Sequence, residues 1–147
     1  MKRLPEALIL LAALAVPALA APAAAPAGKV TISDGWFRAL PAGLPAGGYF
    51  TIRNGGPKDL EITGARSPAC GMLMLHRSDN EGGMSVMAMV MSVPVPASKS
   101  VSFSTGGYHL MCMDGKLKVG TQAPVTLKLS DGSSVTASFA VKDAKGK

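Results

Sequence analysis

The sequence predicts an all-β protein, an antiparallel β-sandwich or barrel of about eight or nine strands. Short apolar stretches rich in β-branched residues recur along the chain, and Gly, Pro, Asn and Asp separate them. No stretch shows a helical hydrophobic period longer than two turns. Regularly spaced short strands are typical of sandwiches and barrels, because each strand buries one face against a second layer.

Nine segments qualify as strands in chain order. Val, Ile, Phe and Tyr dominate the early segments, Met dominates the middle ones, and Val, Leu and Thr return at the end. An Asp-Gly pair at 131–132 predicts a tight hairpin between the last two segments. The candidate strands are 29–39, 47–54, 59–66, 71–78, 84–93, 100–104, 108–113, 124–130 and 134–142.

The N-terminus has the pattern of a cleavable export signal. Lys2 and Arg3 precede an apolar run at 7–16, and Ala-Leu-Ala at 18–20 fits the small-x-small cleavage site. The run is too short for a stable transmembrane helix, and no cysteine follows the cleavage site to accept a lipid anchor. We therefore expect a signal peptide at 1–20, a flexible Ala/Pro linker at 21–28, one domain at 29–142 and a polar tail at 143–147.

Charge and composition argue against several classes of protein. The formal net charge is +6, but the basic residues are dispersed and the aromatic residues, 5% of the chain, do not alternate with them. A nucleic-acid surface is therefore not expected, and a basic soluble surface or weak attraction to anionic membranes or an acidic partner remains. His76, Ser78 and Asp79 are close in sequence, but no nucleophile elbow or acid–base pair frames them, so we do not expect an enzyme.

The two cysteines, Cys70 and Cys112, do not form a C-x-x-C pair, which disfavours a thioredoxin-type redox site. Export would place them in an oxidising compartment, where a disulfide between them would close a loop of about 40 residues and stabilise the fold by roughly 3–4 kcal/mol. Free thiols that serve as auxiliary soft ligands are the alternative.

Chemically soft side chains are concentrated in one part of the mature chain. Both histidines, His76 and His109, and every methionine that remains after signal cleavage fall between positions 72 and 113. A core selected by volume alone would draw methionine from the whole chain, although strand methionines are often simple packing residues. The methionines are Met72, Met74, Met84, Met87, Met89, Met91, Met111 and Met113.

Strand alternation suggests how these side chains converge. In a strand over 108–113, His109, Met111 and Met113 share one face, while Leu110 and Cys112 share the other. Thioether and imidazole ligands suit Cu(I), whereas Mg, Ca and Mn prefer oxygen, and zinc prefers thiolate, imidazole or carboxylate. A blue-copper site is disfavoured, because no histidine follows Cys112.

The spacing resembles a known family. His76, ten residues, Met87, twenty-one residues, His109, one residue and Met111 match the H-x10-M-x21-H-x-M signature of the periplasmic copper chaperone family PCu(A)C. The segments at 36–43 (WFRALPAG), 46–56 (AGGYFTIRNGG) and 106–111 (GGYHLM) also look like that family.

The resemblance implies a cupredoxin-like β-sandwich in the periplasm that binds Cu(I) near its surface. By position, His76, Met87, His109 and Met111 would be the ligands, although a small shift would let Met84, Met89 or Met91 replace Met87. The expected function is a monomeric metallochaperone that carries copper to a periplasmic or membrane-bound acceptor, such as the binuclear copper centre of cytochrome c oxidase or another copper chaperone. Tyr108 and Arg77, which flank the ligands, are candidates for a docking face.

Two other functions remain open. A copper buffer or resistance protein would use the same site without a specific recipient. A metal-free exported interaction domain would use the methionine-rich patch as a protein interface.

Overall fold

The structure is a computed structural model that describes residues 29–41 and 43–147, and ten β-strands form this part of the chain. The predicted signal peptide and linker lie outside the described residues. Among those that are described, no helix is long and apolar enough to span a membrane. The strands are β1 (Val30–Arg38), β2 (Ala46–Asn54), β3 (Leu60–Arg66), β4 (Met72–Glu81), β5 (Met84–Met89), β6 (Val93–Val95), β7 (Ser100–Phe103), β8 (Tyr108–Met113), β9 (Gln122–Leu129) and β10 (Ser134–Lys142).

The strands form one continuous ladder in the order β5-β4-β8-β2-β1-β10-β9-β3-β6, and β7 also pairs with β2. The all-β prediction is confirmed, with two differences. The predicted strand 84–93 is divided, because β5 pairs with β4 whereas Val93 and Val95 pair with β3 at the opposite end of the ladder. In addition, β1 and β10 pair in parallel, so the sheet is mixed and not purely antiparallel.

Aromatic side chains from the middle of the ladder form the centre of the core. Phe37 of β1, Phe50 of β2 and Phe139 of β10 are at most 2% exposed, and the ring of Phe139 lies 5.4 Å from that of Phe37 and 5.5 Å from that of Phe50. Apolar residues that alternate along β3 and β9, such as Ile62 and Leu127, are fully buried in the same core. The ladder therefore curls around one hydrophobic core, and strands from its two ends face each other across that core.

A buried asparagine joins two strands that are not neighbours in the ladder. Asn54, at the end of β2, is 1% exposed, and its amide nitrogen donates to the carbonyl oxygens of Val95 on β6 at 3.0 Å and of Lys58 at 2.8 Å. Its carbonyl oxygen accepts a hydrogen bond from the backbone N–H of Gly56 at 3.0 Å. Because β2 and β6 are far apart in the ladder and do not pair with each other, this side chain provides a direct link between them.

The pair β4 and β8 has two chemically different faces. Leu73 and Leu75 of β4 and Leu110 and Cys112 of β8 point into the core and are at most 8% exposed. The residues between them point outward by strand alternation. Methionine and histidine on these two strands therefore lie on the outer face, and the core is complete without them.

Candidate metal centre

The two histidines are cross-strand neighbours. β4 and β8 are antiparallel, and their register places His76 directly opposite His109. The next pair on the same face, two positions along each strand, is Met74 opposite Met111. Opposed residues of an antiparallel pair project from the same face. The imidazole rings meet edge to face with their centroids 5.7 Å apart. The ladder thus brings together side chains that are 33 positions apart in sequence.

His109 is held in a defined orientation. It is 5% exposed although it lies on the outer face, and it borders the same cleft as Thr105 and Gly106. Gly106 has φ +85°, a conformation that glycine adopts without strain. The Nδ1 atom of His109 is 3.0 Å from the carbonyl oxygen of Gly107, and since a carbonyl can only accept, Nδ1 carries the proton. The lone pair of Nε2 is therefore free to bind a metal ion.

The environment of His76 favours its neutral form. Burial, and then the neighbouring His109, lower the pKa of His76 below its ordinary value of 6.5. Its Nδ1 atom is buried and has no hydrogen-bond partner among the described residues. Neutral imidazole is the form that coordinates metals. Both histidines thus offer nitrogen lone pairs on one side of the sheet.

A shallow cleft of about 370 Å³ brings the remaining candidates next to His109, whereas His76 is not part of its lining. Its lining includes Met87, His109 and Met111, so three of the four sequence-predicted ligands border one space. Met87 is paired with Ser78, two pairs beyond that of His76 and Met89 and therefore on the same face. Met87 is 53% exposed, so the outer wall of the cleft is open to solvent.

The alternative methionines of this segment divide between the two faces of β5. Met89 lies directly opposite His76 and shares its face, whereas Met84 is paired with Glu81 and alternates onto the other face. Met91 follows the end of β5 and is 81% exposed. Only Met87 and Met89 therefore face the histidine pair from β5, and of these two only Met87 lines the cleft.

The structure adds residues that the sequence interpretation missed. Arg38 and Tyr49 line the cleft, and the guanidinium of Arg38 lies over the ring of Tyr49 at 5.5 Å and that of Trp36 at 5.6 Å. The Tyr49 hydroxyl lies over Gly47, the residue paired with Met111, where a Cβ atom would be only 2.6 Å from it. Alternation along β1 and β2 in the sequence assigns Arg38 and Tyr49 to faces of their strands. Only the pairing of the strands shows that both residues border the cleft.

Arg77 and Tyr108 do not flank the cleft. They are opposite each other in the β4–β8 register, with the guanidinium of Arg77 5.5 Å from the ring centre of Tyr108. Strand alternation directs this pair to the face opposite that of His76 and His109. The expectation that they shape a docking face around the ligands is therefore wrong.

The cysteine sulfurs are not available as ligands. Cys70 and Cys112 form a disulfide with their Cα atoms 5.4 Å apart, which confirms the predicted bridge and excludes free thiols. In the described part of the chain, no three His, Cys, Asp or Glu side chains are grouped to hold a metal ion. The donors on this face are consequently two imidazoles and several thioethers, a set that fits a soft cation.

Comparisons with known proteins agree with this architecture. The family described as "Putative lipoprotein LpqE-like" matches residues 30–141. The "Putative lipoprotein Lxx21020" of Leifsonia xyli subsp. xyli is 32% identical over 120 residues, which cover 80% of this chain and 72% of that protein. Among solved structures, CuI-DR1885 from Deinococcus radiodurans is 30% identical with a TM-score of 0.63, over 81% of this chain and 80% of that chain.

The copper-bound PCuAC domain from PmoF2 has a TM-score of 0.66 at 22% identity, over 83% of this chain and 99% of that chain. At that identity the likeness concerns the fold, and it supports the cupredoxin-like β-sandwich expected from the sequence. The family match covers most of the chain, and the chain therefore belongs to the LpqE-like family.

Proposed function

We propose that this protein is an exported metallochaperone that binds Cu(I) as cargo through His76, Met87, His109 and Met111. The observation that supports it best is the cross-strand histidine pair, because one ring has its Nε2 lone pair free and the other has an unpartnered Nδ1. The thioethers of Met87 and Met111 border the same cleft as His109. CuI-DR1885 and the copper-bound PCuAC domain from PmoF2 are similar in fold.

The donor set explains the choice of metal. Thioether sulfur is neutral and soft, and together with imidazole it favours Cu(I) over hard divalent cations. Neither ligand type cancels the charge of the ion, so the complex keeps a positive charge beside the solvent-exposed Met87. Such a site holds copper reversibly, as delivery requires.

The exposure of the ligands suggests an order of release. Met87 is 53% exposed on the edge strand β5, whereas His109, on the inner strand β8, is only 5% exposed. An acceptor that approaches from the β5 side meets the thioether first and the buried imidazole last. Its own soft ligands replace those of the carrier one at a time, and no chemical bond of a substrate is broken.

The acceptor is a periplasmic or membrane-bound copper protein. The resemblance to PCu(A)C proteins makes the binuclear copper centre of cytochrome c oxidase our first candidate. A buffer without a recipient would use the same ligands, so transfer kinetics distinguish the two: delivery requires that copper reaches the acceptor faster than it reaches a small chelator of equal affinity.

A competition titration with a Cu(I) chelator tests the site. We expect His109→Ala and Met111→Ala each to weaken Cu(I) binding by at least about tenfold, the lower bound for losing a side chain that merely orients a ligand. Met84→Leu, on the same edge strand but the other face, is the matched control and should bind as tightly as wild type. A His109→Ala, Met111→Ala double variant with wild-type affinity would falsify the proposal.

A second pair of variants identifies the sulfur that β5 supplies. Met87→Leu should weaken Cu(I) binding, while Met89→Leu, two residues away on the same face, should leave it nearly unchanged. The reverse result would assign the ligand to Met89. If Cu(I) produces no thermal stabilisation of the wild-type protein, the metal-free interaction domain is the better explanation, because a ligand that binds the folded state must raise its melting temperature.

A further inference from the structure

The outer face of β4 and β8 continues as a row of methionine pairs beyond the histidines. Met74 is opposite Met111, and Met72 is opposite Met113 at the end of the two strands. Successive pairs on one face are about 6.7 Å apart along the strands. The proposed Cu(I) site uses Met111 from the first of these pairs and leaves Met72, Met74 and Met113 without a role.

These three methionines are not packing residues of the core. Met72 is 57% exposed and Met74 and Met113 are half-buried, whereas Leu73 and Cys112, on the opposite face, are at most 8% exposed. Single exposed apolar side chains are common at protein surfaces, but a contiguous cluster of them usually marks a binding site. Three thioethers side by side on a face where packing does not require them call for a chemical explanation.

We propose that Met72, Met74 and Met113 form a second binding site for a soft monovalent cation. Directly opposed residues have their Cβ atoms about 4.5–5.5 Å apart, and diagonal neighbours remain within reach of long side chains. The unbranched methionine side chain has three rotatable bonds, so the three sulfurs can turn toward one ion. All-thioether coordination selects soft cations such as Cu(I) or Ag(I).

The second site differs from the first in composition and accessibility. It contains no imidazole and lies at the Met72–Met113 end of the β4–β8 pair, where Met72 is 57% exposed, so it takes up and releases its ion more easily. A cation in the first site repels one in the second, so the second ion binds more weakly. The inference goes beyond the proposed function, because it depends on none of His76, Met87 and His109.

Titration of the signal-cleaved protein with Ag(I) alone, followed by native mass spectrometry, tests the proposal. Silver mimics Cu(I) and undergoes no redox change. We expect wild type to bind two ions and Met72→Leu, Met113→Leu to bind one. Met84→Leu, Met91→Leu removes two exposed methionines elsewhere and should keep both ions.

The outcomes separate this inference from the proposed function. A wild type that binds a single ion, a Met72→Leu, Met113→Leu variant that keeps two, or a control that loses one as well would each overturn the second site. The His76→Ala, His109→Ala variant should retain one ion, and adding the two leucines should remove it. If that histidine variant still binds two ions, the first site is wrong while the second stands.

A folding control accompanies these measurements. Leucine has nearly the volume of methionine, and the replaced side chains lie outside the core, so the metal-free variants should melt within a few degrees of wild type. Where the double variant no longer unfolds cooperatively, the single Met72→Leu variant, at the most exposed of the three positions, repeats the test. It should lower the affinity for the second ion and leave that for the first unchanged.

Discussion

The chain segment closed by the Cys70–Cys112 disulfide contains every proposed ligand of the candidate metal centre, which makes removal of the disulfide informative. The cysteines are 42 positions apart, and His76, Met87 and His109 all lie in the loop that they close. In the chain-entropy model, a closed loop of that length stabilises the folded state by about 4 kcal/mol. For a domain of this size one kcal/mol corresponds to about 4 °C, so we expect reduction to lower the melting temperature by about 15 °C.

Thermal unfolding of the metal-free protein, followed by circular dichroism with and without a thiol reductant, measures this effect. A Cys70→Ala, Cys112→Ala variant is the matched control: it should melt near the reduced wild type, and the reductant should not change it further. If reduced and oxidised wild type melt within about 3 °C of each other, the loop does not stabilise the fold as argued.

The same variant separates stability from ligand placement. The backbone ladder of β4 and β8 holds His76 opposite His109 through six consecutive residue pairs, from Met72–Met113 to Arg77–Tyr108. Below its melting temperature, the cysteine-free variant should therefore bind Cu(I) within about tenfold of wild type, a difference of 1.4 kcal/mol. A folded variant with a hundredfold weaker affinity would show that the disulfide positions the ligands.

Two further predictions concern pH and layer closure. Burial and His109 lower the pKa of His76, so the unfolded chain takes up this proton first as the pH falls. The contribution of His76 to the free energy of unfolding should therefore decrease from pH 6.5 down to the lowered pKa and then level off. An NMR titration of the His76 ring with a midpoint at or above 6.5 would contradict this. Asn54→Ala removes three hydrogen bonds of a buried side chain and should cost about 2–4 kcal/mol in urea unfolding, whereas Asn80→Ala, at an exposed position of β4, should cost almost nothing.

Much of the fold follows from local sequence signals. The segments 47–54, 59–66 and 134–142 agree closely with β2, β3 and β10, because their alternation reflects one buried and one exposed face. The Asp-Gly turn before β10 is also as expected. Long-range pairing was not accessible: no local pattern shows that β1 pairs in parallel with β10, or that residues 93–95 separate from β5 to pair with β3.

The candidate site shows the same division. Spacing and alternation along β8 could place His109 and Met111 on one face, since that is a property of a single strand. The exclusion of Met84, the direct opposition of His76 and Met89 and the contribution of Arg38 to the cleft depend on register between strands. A one-residue change of register would exchange the faces of β5, so strand alternation could not separate its methionines, and only the spacing of the family signature favoured Met87.

The two faces of β8 lead to a final prediction, that stability and metal binding can be altered independently. Leu110 is fully buried, so Leu110→Ala should cost about 2–5 kcal/mol of folding free energy, and the folded fraction should still bind Cu(I) with near-normal affinity. Met111→Leu, one residue away on the other face, should weaken Cu(I) binding and leave the melting temperature of the metal-free protein within a few degrees of wild type. Paired thermal unfolding and chelator titrations measure both quantities. If Met111→Leu destabilised the metal-free protein as much as Leu110→Ala does, the outer face would contribute to the core, and its methionines would need no metal to explain them.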